Sequence, residues 1–274
     1  MAALAAGRFR LDLRRPLVMG VVNVTPDSFS DGGKFLDARA AVAHALSLAE
    51  ADILDIGGES SRPGALPVSV QEEMDRILPV LEGLKGIEKP VSVDTRRPEV
   101  MQAALRAGAS MVNDIEALSA PGALDAAAKT QCAVCLMHMK GEPATMQKEP
   151  HYDDVVAEVS LFLKQRAETA VRAGIARERI VVDPGFGFGK TLAHNLELLR
   201  RLKELALLGF PVLAGWSRKS SLGKLTGRPA DDRLAGSLAA ALLALQGGAT
   251  ILRVHDVKET RDVIAVWEAY KNEP

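Results

Sequence analysis

Eight short apolar segments, each closed by a polar residue and followed by an alanine- and leucine-rich stretch, constrain the fold of this chain most. They are LVMGVVN (17–23), DILDIG (52–57), PVSVDT (90–95), SMVNDI (110–115), CAVCLMH (132–138), RIVVDPG (179–185), FPVLAG (210–215) and TILRVHD (250–256). Near-continuous apolar strands that alternate with helices are typical of a parallel sheet whose outer face is covered by those helices.

The stretches between these segments predict the helices. They lie near 37–51, 71–85, 97–107, 121–130, 152–173, 191–206, 231–247 and 256–270. Eight strand–helix units in 274 residues favour a (β/α)8 TIM barrel, an α/β fold in which residues 1–274 form a single domain. An open doubly wound sheet is the alternative, but no G-x-G-x-x-G motif follows the first strand. FRLDL (9–13) predicts a short N-terminal hairpin or plug ahead of the barrel.

Charge and hydropathy restrict the possible partners. The formal net charge is −1 and no basic block stands out, which argues against a nucleic-acid partner held through phosphate contacts. The longest plain apolar run, LAAALLAL (238–245), is too short to span a bilayer, and the N-terminal segment does not resemble a signal peptide. We therefore expect a cytoplasmic protein with no membrane partner. Cys132 and Cys135 are expected to be core thiols, because no second cysteine pair completes a zinc site.

Polar residues terminate the predicted strands. The C-terminal ends of all strands of such a barrel share one face, and that face carries the chemistry. The residues expected there are Asn23, Asp55, Asp94, Asn113, His138, Asp183, Arg253 and His255, with Lys219 just beyond the seventh strand. A single Asp or Asn at a strand end is better explained as a helix cap. Three of them together, Asp94, Asn113 and Asp183, predict a site for a flat heterocycle rich in hydrogen-bonding groups.

The last strand and the first strand predict a phosphate site. Barrels often bind phosphate near their last two strands, and the guanidinium of Arg253 offers a planar fork for phosphate oxygens. Asn23, on the adjacent first strand, could supply an oxygen ligand to Mg²⁺. A salt bridge to a nearby carboxylate is the alternative for Arg253, and a structural role is the alternative for His255.

Two loops carry further signals. DPGFGFGKT (183–191) lacks the spacing of a nucleotide-binding P-loop. Its rings, Phe186 and Phe188, could flank a planar substrate or pack inward in a tight turn. SRKSS (217–221) is a basic cluster of a kind common on surfaces and carries no assignment by itself.

Seven segments in order resemble the dihydropteroate synthase family over nearly the whole chain: MGVVNVTPDSFSDGG, DIGGESSRPGA, SVDT, VNDI, DPGFGFGKT, GWSRKSSLG and RVHDV. Ser61 stands where many members carry Thr and keeps the hydroxyl. The resemblance implies a transferase of folate biosynthesis. It condenses 6-hydroxymethyl-7,8-dihydropterin diphosphate with p-aminobenzoate to give 7,8-dihydropteroate and pyrophosphate. It also implies a Mg²⁺ cofactor, a homodimer and competition by sulfonamides as p-aminobenzoate mimics.

The resemblance also implies roles for individual residues. The pterin would be held by Asp94, Asn113, Asp183 and Lys219, the diphosphate by Ser61, Arg253 and His255, and Mg²⁺ by Asn23. The p-aminobenzoate side would be lined by Pro63, Phe188, Lys219 and Ser220, with Arg62 close by. The residues expected to act in catalysis are Asp94, Asp183, Lys219, Arg253 and His255.

The implied reaction is a dissociative, SN1-like substitution. Mg²⁺ and basic groups would stabilise the departing diphosphate, while Asp94 and Asp183 would stabilise the cation left on the pterin. The amine of p-aminobenzoate is already neutral, so no strong general base is needed. TPDSFSDGG (25–33) would be a lid that closes with the SSRPG loop and brings Phe29 and Asp31 to the nucleophile. Full turnover and unchanged p-aminobenzoate affinity in Phe29→Ala and Asp31→Ala would contradict that hypothesis.

Three other activities are compatible with parts of this pattern. A methyltransferase acting on methyltetrahydrofolate would share the pterin contacts, but it has no need of a diphosphate clamp. A lyase with a Schiff base on Lys219 would be revealed by borohydride trapping with a carbonyl substrate. A non-catalytic pterin-binding paralogue would bind the pterin diphosphate tightly without turnover.

Overall fold

A closed barrel of eight parallel strands dominates the computed structural model, which describes residues 2–24, 34–60 and 67–272. The barrel strands are β3 (Leu17–Asn23), β4 (Ile53–Gly57), β5 (Val91–Asp94), β6 (Met111–Asp114), β7 (Ala133–Met137), β8 (Ile180–Asp183), β9 (Leu213–Ala214) and β10 (Ile251–Val254). They pair in the order β8-β7-β6-β5-β4-β3-β10-β9. A parallel bridge between Val182 and Val212 joins the two edges and closes the sheet. The predicted (β/α)8 fold class is confirmed.

The predicted N-terminal hairpin is present and closes one end of the barrel. It pairs β1 (Ala3–Ala6) with β2 (Phe9–Asp12) in antiparallel register, so it begins several residues before the FRLDL segment. Gly7, with φ +59°, makes the turn possible because left-handed backbone angles favour glycine. Leu4 and Ala6 pack against the apolar side chains inside the barrel, so the hairpin plugs its N-terminal end.

Ten helices are described around the strands. They are α1 (Lys34–Ser47), α2 (Val70–Gly83), α3 (Pro98–Arg106), α4 (Ala123–Ala128), α5 (Val155–Arg172), α6 (Leu192–Arg200), α7 (Leu202–Ala206), α8 (Ser220–Thr226), α9 (Leu234–Gln246) and α10 (Val257–Asn272). The helix predicted over 191–206 is interrupted at Arg201, whose backbone (φ −105°, ψ 20°) leaves helical geometry while its side chain pairs with Asp154 and Glu204. The sequence pattern does not predict the short helix α8. In the described part of the chain, no helix has the length and apolarity to cross a membrane.

Alternation along the strands separates two apolar layers. One face of the strands packs against the helices in the larger cluster, and the other fills the barrel interior with the hairpin. The two cysteines show the alternation: Cys132 belongs to the outer cluster and Cys135 to the interior. Both are buried and free, as expected of core thiols.

Candidate active site

A layer of polar side chains lies on top of the apolar interior. Four alternate strands, β4, β6, β8 and β10, each carry an interior apolar residue, namely Ile53, Met111, Val181 and Ile251. Two positions further along the same strands stand Asp55, Asn113, Asp183 and Arg253. Residues two apart on a strand point to the same face, so these four side chains also point into the barrel, at its C-terminal end.

Arg253 connects this polar layer across the barrel. Its Nε donates to Asp55 Oδ2 at 2.6 Å, and its Nη2 donates to Asp94 Oδ2 at 2.7 Å. Asn113 Nδ2 donates to the same Asp55 oxygen at 3.1 Å. The carboxylate contacts considered as an alternative to phosphate binding are therefore present, and they use two of the three guanidinium nitrogens.

Asp94 and Asp183, at this end of the barrel, have carboxyl groups that are easier to protonate than in water. Burial raises the pKa of Asp94 to about 7, although Arg253 opposes that shift. Burial also raises the pKa of Asp183, against the opposing charge of Lys219. Burial alone would lower the pKa of Arg253, but the carboxylates of Asp55 and Asp94 outweigh it and raise that pKa above its usual value. Perturbed groups clustered in a barrel mouth are a common mark of a functional site.

Two acceptor atoms in the layer have no hydrogen-bond partner among the described residues. Asp55 Oδ1 and Asn113 Oδ1 are buried and accept no hydrogen bond from the described residues. Most buried polar atoms in folded proteins are paired, so unpaired acceptors call for a bound donor such as water or a ligand. Ring N–H and amino groups of a planar heterocycle are donors of the required kind.

Lys219 and the glycine-rich loop form a wall beside the polar layer, at the mouth of the barrel. Lys219 Nζ donates to the carbonyl of Phe186 at 2.5 Å and lies 4.5 Å from the centre of the Phe188 ring. Burial lowers the pKa of Lys219 to about 8, against the pull of Asp183. Phe186 packs inward and stacks on Trp216 at 4.8 Å, whereas Phe188 is half-buried. Of the two aromatic rings, Phe188 is the one placed to meet a ligand.

Two glycines let this loop pass close to the neighbouring strand end. Gly185 and Gly189 have φ of +67° and +62°. A Cβ would lie 2.0 Å from His138 O at Gly185, and 2.1 Å from Lys140 O at Gly189. The buried Lys190 props the same loop by donating to Phe188 O at 2.9 Å and His138 O at 3.3 Å.

We expect Gly185→Ala to destabilise the protein by at least about 3 kcal/mol, because the backbone must shift to relieve the contact with His138 O. Gly174→Ala is the matched control. Gly174 has φ +94°, but nothing lies within 4 Å of the position that a Cβ would take, so only the strain of the left-handed backbone applies, about 1–2 kcal/mol. Urea unfolding of both variants measures the difference. Equal destabilisation would contradict the steric argument.

His255 and Asn23 lie on the rim. His255 Nδ1 is 3.0 Å from Ser217 Oγ, which links β10 to the loop after β9. Asn23 ends β3, and its Oδ1 borders the space above Gly57, as does Asp94 Oδ2, at 3.8 and 3.9 Å from a Cβ placed there. Ser220, the first residue of α8, is exposed beside Lys219.

Five predicted site residues lie outside the described residues, and so does the segment of the lid hypothesis, 25–33. The five are Phe29, Asp31, Ser61, Arg62 and Pro63. Within the described residues, no cluster of three His, Cys, Asp or Glu side chains could hold a metal ion. A metal at Asn23 would therefore depend on oxygens from substrate and water for most of its ligands.

Two residues acquire a role only in three dimensions. Asp55 stands at the end of a predicted strand, which predicts that it lies at the rim. The sequence does not predict its pairing with Arg253 and Asn113. Its spacing two residues after the interior Ile53 would have indicated that it points inward. Ser217 belongs to a cluster of a kind common on surfaces, and no feature of the sequence indicates its contact with His255.

A cavity of about 540 Å³ lies at the opposite end of the barrel, between the hairpin and helices α3 and α4. Arg8, Arg106 and Lys129 line it, and Asp125 is the one carboxylate among its described lining residues. It contains none of the converging polar strand ends, and barrel chemistry takes place at the other face. The candidate active site is therefore the C-terminal mouth.

Comparison with known proteins finds similar proteins over nearly the whole chain. The family model described as pterin binding enzyme matches residues 19–255. Dihydropteroate synthase of Escherichia coli is 52% identical to this chain over 262 residues. The match covers 94% of this chain and 93% of the Escherichia coli protein. The Xanthomonas albilineans dihydropteroate synthase structure with 4-aminobenzoic acid superposes with a TM-score of 0.94 at 56% identity, covering 100% of this chain and 99% of that one. A Yersinia pestis dihydropteroate synthase in complex with a sulfonamide drug gives a TM-score of 0.94 at 49% identity, with coverage of 99% and 100%.

Proposed function

The chain belongs to the pterin-binding enzyme family and, within it, to the dihydropteroate synthases, and from this premise we infer how its barrel mouth performs the reaction. The protein is a transferase of folate biosynthesis. It joins 6-hydroxymethyl-7,8-dihydropterin diphosphate to p-aminobenzoate, giving 7,8-dihydropteroate and pyrophosphate. The observation that carries the assignment to this site is the inward-facing polar layer bridged by Arg253. The assignment of residues 1–274 to one pterin-binding domain is part of the proposal.

The pterin ring is proposed to lie over Asp94, Asn113 and Asp183, beside Lys219. The side-chain oxygens of these three residues accept hydrogen bonds from ring N–H and amino groups, and Lys219 donates to a ring acceptor. The unpaired Oδ1 of Asn113 supports this placement, because it leaves a buried acceptor for a ligand. An analogue without those donors would leave buried oxygens unpaired and bind weakly.

The diphosphate is proposed to lie between Arg253, His255 and Ser61. Nη1 of Arg253 donates to none of the described residues, so it remains for the departing oxygens while Nε and Nη2 hold Asp55 and Asp94. One guanidinium then connects the carboxylates of Asp55 and Asp94 to the leaving group. A fixed cation at that position stabilises negative charge as it develops.

Asn23 is proposed as the protein ligand of Mg²⁺. Its amide makes no hydrogen bond to the described residues, and its oxygen borders the open space above Gly57. Mg²⁺ commonly takes one or two protein oxygens and completes its shell with water and phosphate oxygens, so a single amide fits. When bound, the ion would neutralise diphosphate charge.

The substitution is proposed to be dissociative. Asp94 and Asp183 face the methylene that becomes cationic when the C–O bond breaks, and their low-dielectric setting strengthens the attraction. The neutral amine of p-aminobenzoate approaches along the wall of Phe188, Lys219 and Ser220, and the family resemblance assigns Arg62 and Pro63 to the same substrate. No residue is required as a strong base. Sulfonamides compete for the same wall.

We expect kcat/KM for the pterin diphosphate to be bell-shaped in pH. Activity rises as Asp94 ionises at about 7 and falls as Lys219 loses its proton at about 8. Lys219→Arg is expected to keep the acid limb and lose the alkaline limb, because arginine stays protonated. Initial rates at saturating p-aminobenzoate measure both profiles. An alkaline limb retained in Lys219→Arg would exclude Lys219 as its source.

We also propose a cytoplasmic homodimer, with small molecules as the other partners and neither nucleic acid nor membrane among them. Leu234 and Leu243 of α9 and Leu225 of α8 are exposed by 38%, 49% and 50%, which supports an apolar contact on this side of the barrel. Sedimentation equilibrium of the purified protein would test the oligomeric state, and a monomer at micromolar concentration would contradict it.

A coupled pyrophosphate-release assay tests the activity. Purified protein, Mg²⁺ and the pterin diphosphate are incubated with and without p-aminobenzoate. We expect Mg²⁺-dependent pyrophosphate release and, with p-aminobenzoate present, an equal amount of dihydropteroate. Tight binding without either product would indicate a non-catalytic paralogue.

A further inference from the structure

Two consecutive residues after β9 are bonded to two consecutive residues after β10. Ser217 Oγ lies 3.0 Å from His255 Nδ1 and accepts from the His255 backbone N at 3.2 Å. Next to this contact, Arg218 forms a two-point ion pair with Asp256: Nε donates to Oδ2 at 3.0 Å, and Nη2 donates to Oδ1. The loop and the strand end are thus joined twice, side by side.

The backbone of Arg218 is held from a third direction. Its φ is +56°, a left-handed angle that is uncommon for residues other than glycine. Its N–H donates to Ser237 Oγ at 3.0 Å, and its carbonyl accepts from Arg233 Nη1 at 3.0 Å. Such a conformation persists only where the surroundings impose it. Here α9 and the residue before it fix the backbone, and Asp256 fixes the side chain.

The ion pair stands between two parts of the site. Lys219, the residue after Arg218, reaches Phe186 O with its ammonium group, and His255 is the residue before Asp256. Both carboxylate oxygens of Asp256 accept hydrogen bonds from Arg218, one from Nε and one from Nη2. A rotation of the loop that displaced the backbone of Lys219 would strain this two-point contact.

We propose that Arg218 and Asp256 form a positioning pair that sets the distance between Lys219 and His255 without touching either substrate. The inference rests on the proposed function, in which Lys219 holds the pterin and His255 the diphosphate. Because one molecule spans both groups, a small change in their spacing misplaces the bond to be broken. Displacement of a positioned group by about 1 Å is known to lower rates by up to roughly 100-fold.

The test is a double-mutant cycle on the intact protein. Arg218→Ala and Asp256→Ala are each expected to lower kcat about 10-fold or more, while KM for p-aminobenzoate changes less than about twofold. The double variant is expected to lose no more than the worse single variant, because both act through one contact. Arg218→Lys, which keeps the charge but not the fork, is expected to recover only part of kcat. The matched control is Asp232→Asn, which removes the exposed Arg228–Asp232 pair nearby and should leave kcat unchanged.

Several results would overturn the proposed positioning role. Additive losses in the double variant would mean that the two residues act separately. A rise confined to KM for p-aminobenzoate would mean that Arg218 contacts that substrate. Unchanged kcat in variants that retain a cooperative thermal transition would mean that the pair positions nothing. If an alanine variant does not fold, the folded Arg218→Lys protein decides the matter, and wild-type kcat in it would overturn the proposal. Inactivity of the unmodified protein would instead contradict the proposed function.

Discussion

Replacing Arg253 with glutamine is expected to lower kcat/KM about a thousandfold and to destabilise the fold by about 3–5 kcal/mol. The first effect arises because the guanidinium is a fixed cation that contacts Asp94 and lies at the proposed diphosphate site. The second arises because the buried Asp55 and the partly buried Asp94 would be left without their cation; Asp55 is 0% exposed.

The stability loss should depend on pH. Without Arg253, the pKa of Asp94 rises further above its unfolded value, because the guanidinium is the group that opposes the effect of burial. The folded state then binds more protons than the unfolded state, so stability falls as pH rises through that range. The deficit should be larger at about pH 8 than at about pH 5.

Urea unfolding at the two pH values, with initial rates at each, measures both effects. Arg261→Gln is the matched control, since Arg261 pairs with Asp52 at similar burial but at the other end of the barrel. It should destabilise the protein and leave kcat nearly unchanged. Arg253→Gln with wild-type activity would remove Arg253 from the mechanism.

Asp183→Asn is expected to lower kcat by about 100- to 1,000-fold with little or no loss of stability. The variant keeps the oxygen that accepts from Gly185 N at 2.7 Å, so the start of the glycine-rich loop is preserved. The substitution removes the negative charge of Asp183. Burial raises the pKa of this carboxyl group, so its charge does not favour the folded state. What disappears is the attraction for the cation that forms on the pterin.

Asp114→Asn separates this role from a general effect of buried carboxylates. Asp114 is also 0% exposed at a strand end, and burial raises its pKa to about 6. Its side chain caps the following turn through Glu116 N and Leu118 N and does not belong to the polar layer. We expect the Asp114→Asn variant to keep kcat within a few-fold of the wild-type value. Single-turnover rates with the pterin diphosphate compare the two variants, and equal losses would contradict a specific role for Asp183.

Much of the fold could be predicted because each barrel strand is a local apolar run. LVMGVVN coincides with β3. Each of the other seven segments contains its strand and extends beyond the strand ends by one to four residues. The predictions failed where tertiary contacts decide the backbone. Arg201 interrupts a continuous helical pattern through its bonds to Asp154 and Glu204, and α8 is a short helix that begins soon after a left-handed residue, Arg218.

The site was predictable to the extent that strand ends meet on one face. That rule gathers Asp94, Asn113, Asp183 and Arg253 without knowledge of their contacts. It does not reveal which pairs form. Residues 55 and 253 are 198 positions apart in sequence, and their contact exists only because the barrel closes. The contact of Ser217 with His255 depends likewise on the register between the ends of β9 and β10.

The most direct test of the site is a crystal structure of the protein with the pterin diphosphate and Mg²⁺ bound. We expect the ring at the C-terminal mouth, with its N–H and amino groups about 2.7–3.2 Å from oxygens of Asp94, Asn113 and Asp183, and the diphosphate beside Arg253 and His255. A pterin bound elsewhere, such as in the cavity beside the hairpin, with the polar layer unoccupied, would contradict the assignment of this layer as the active site.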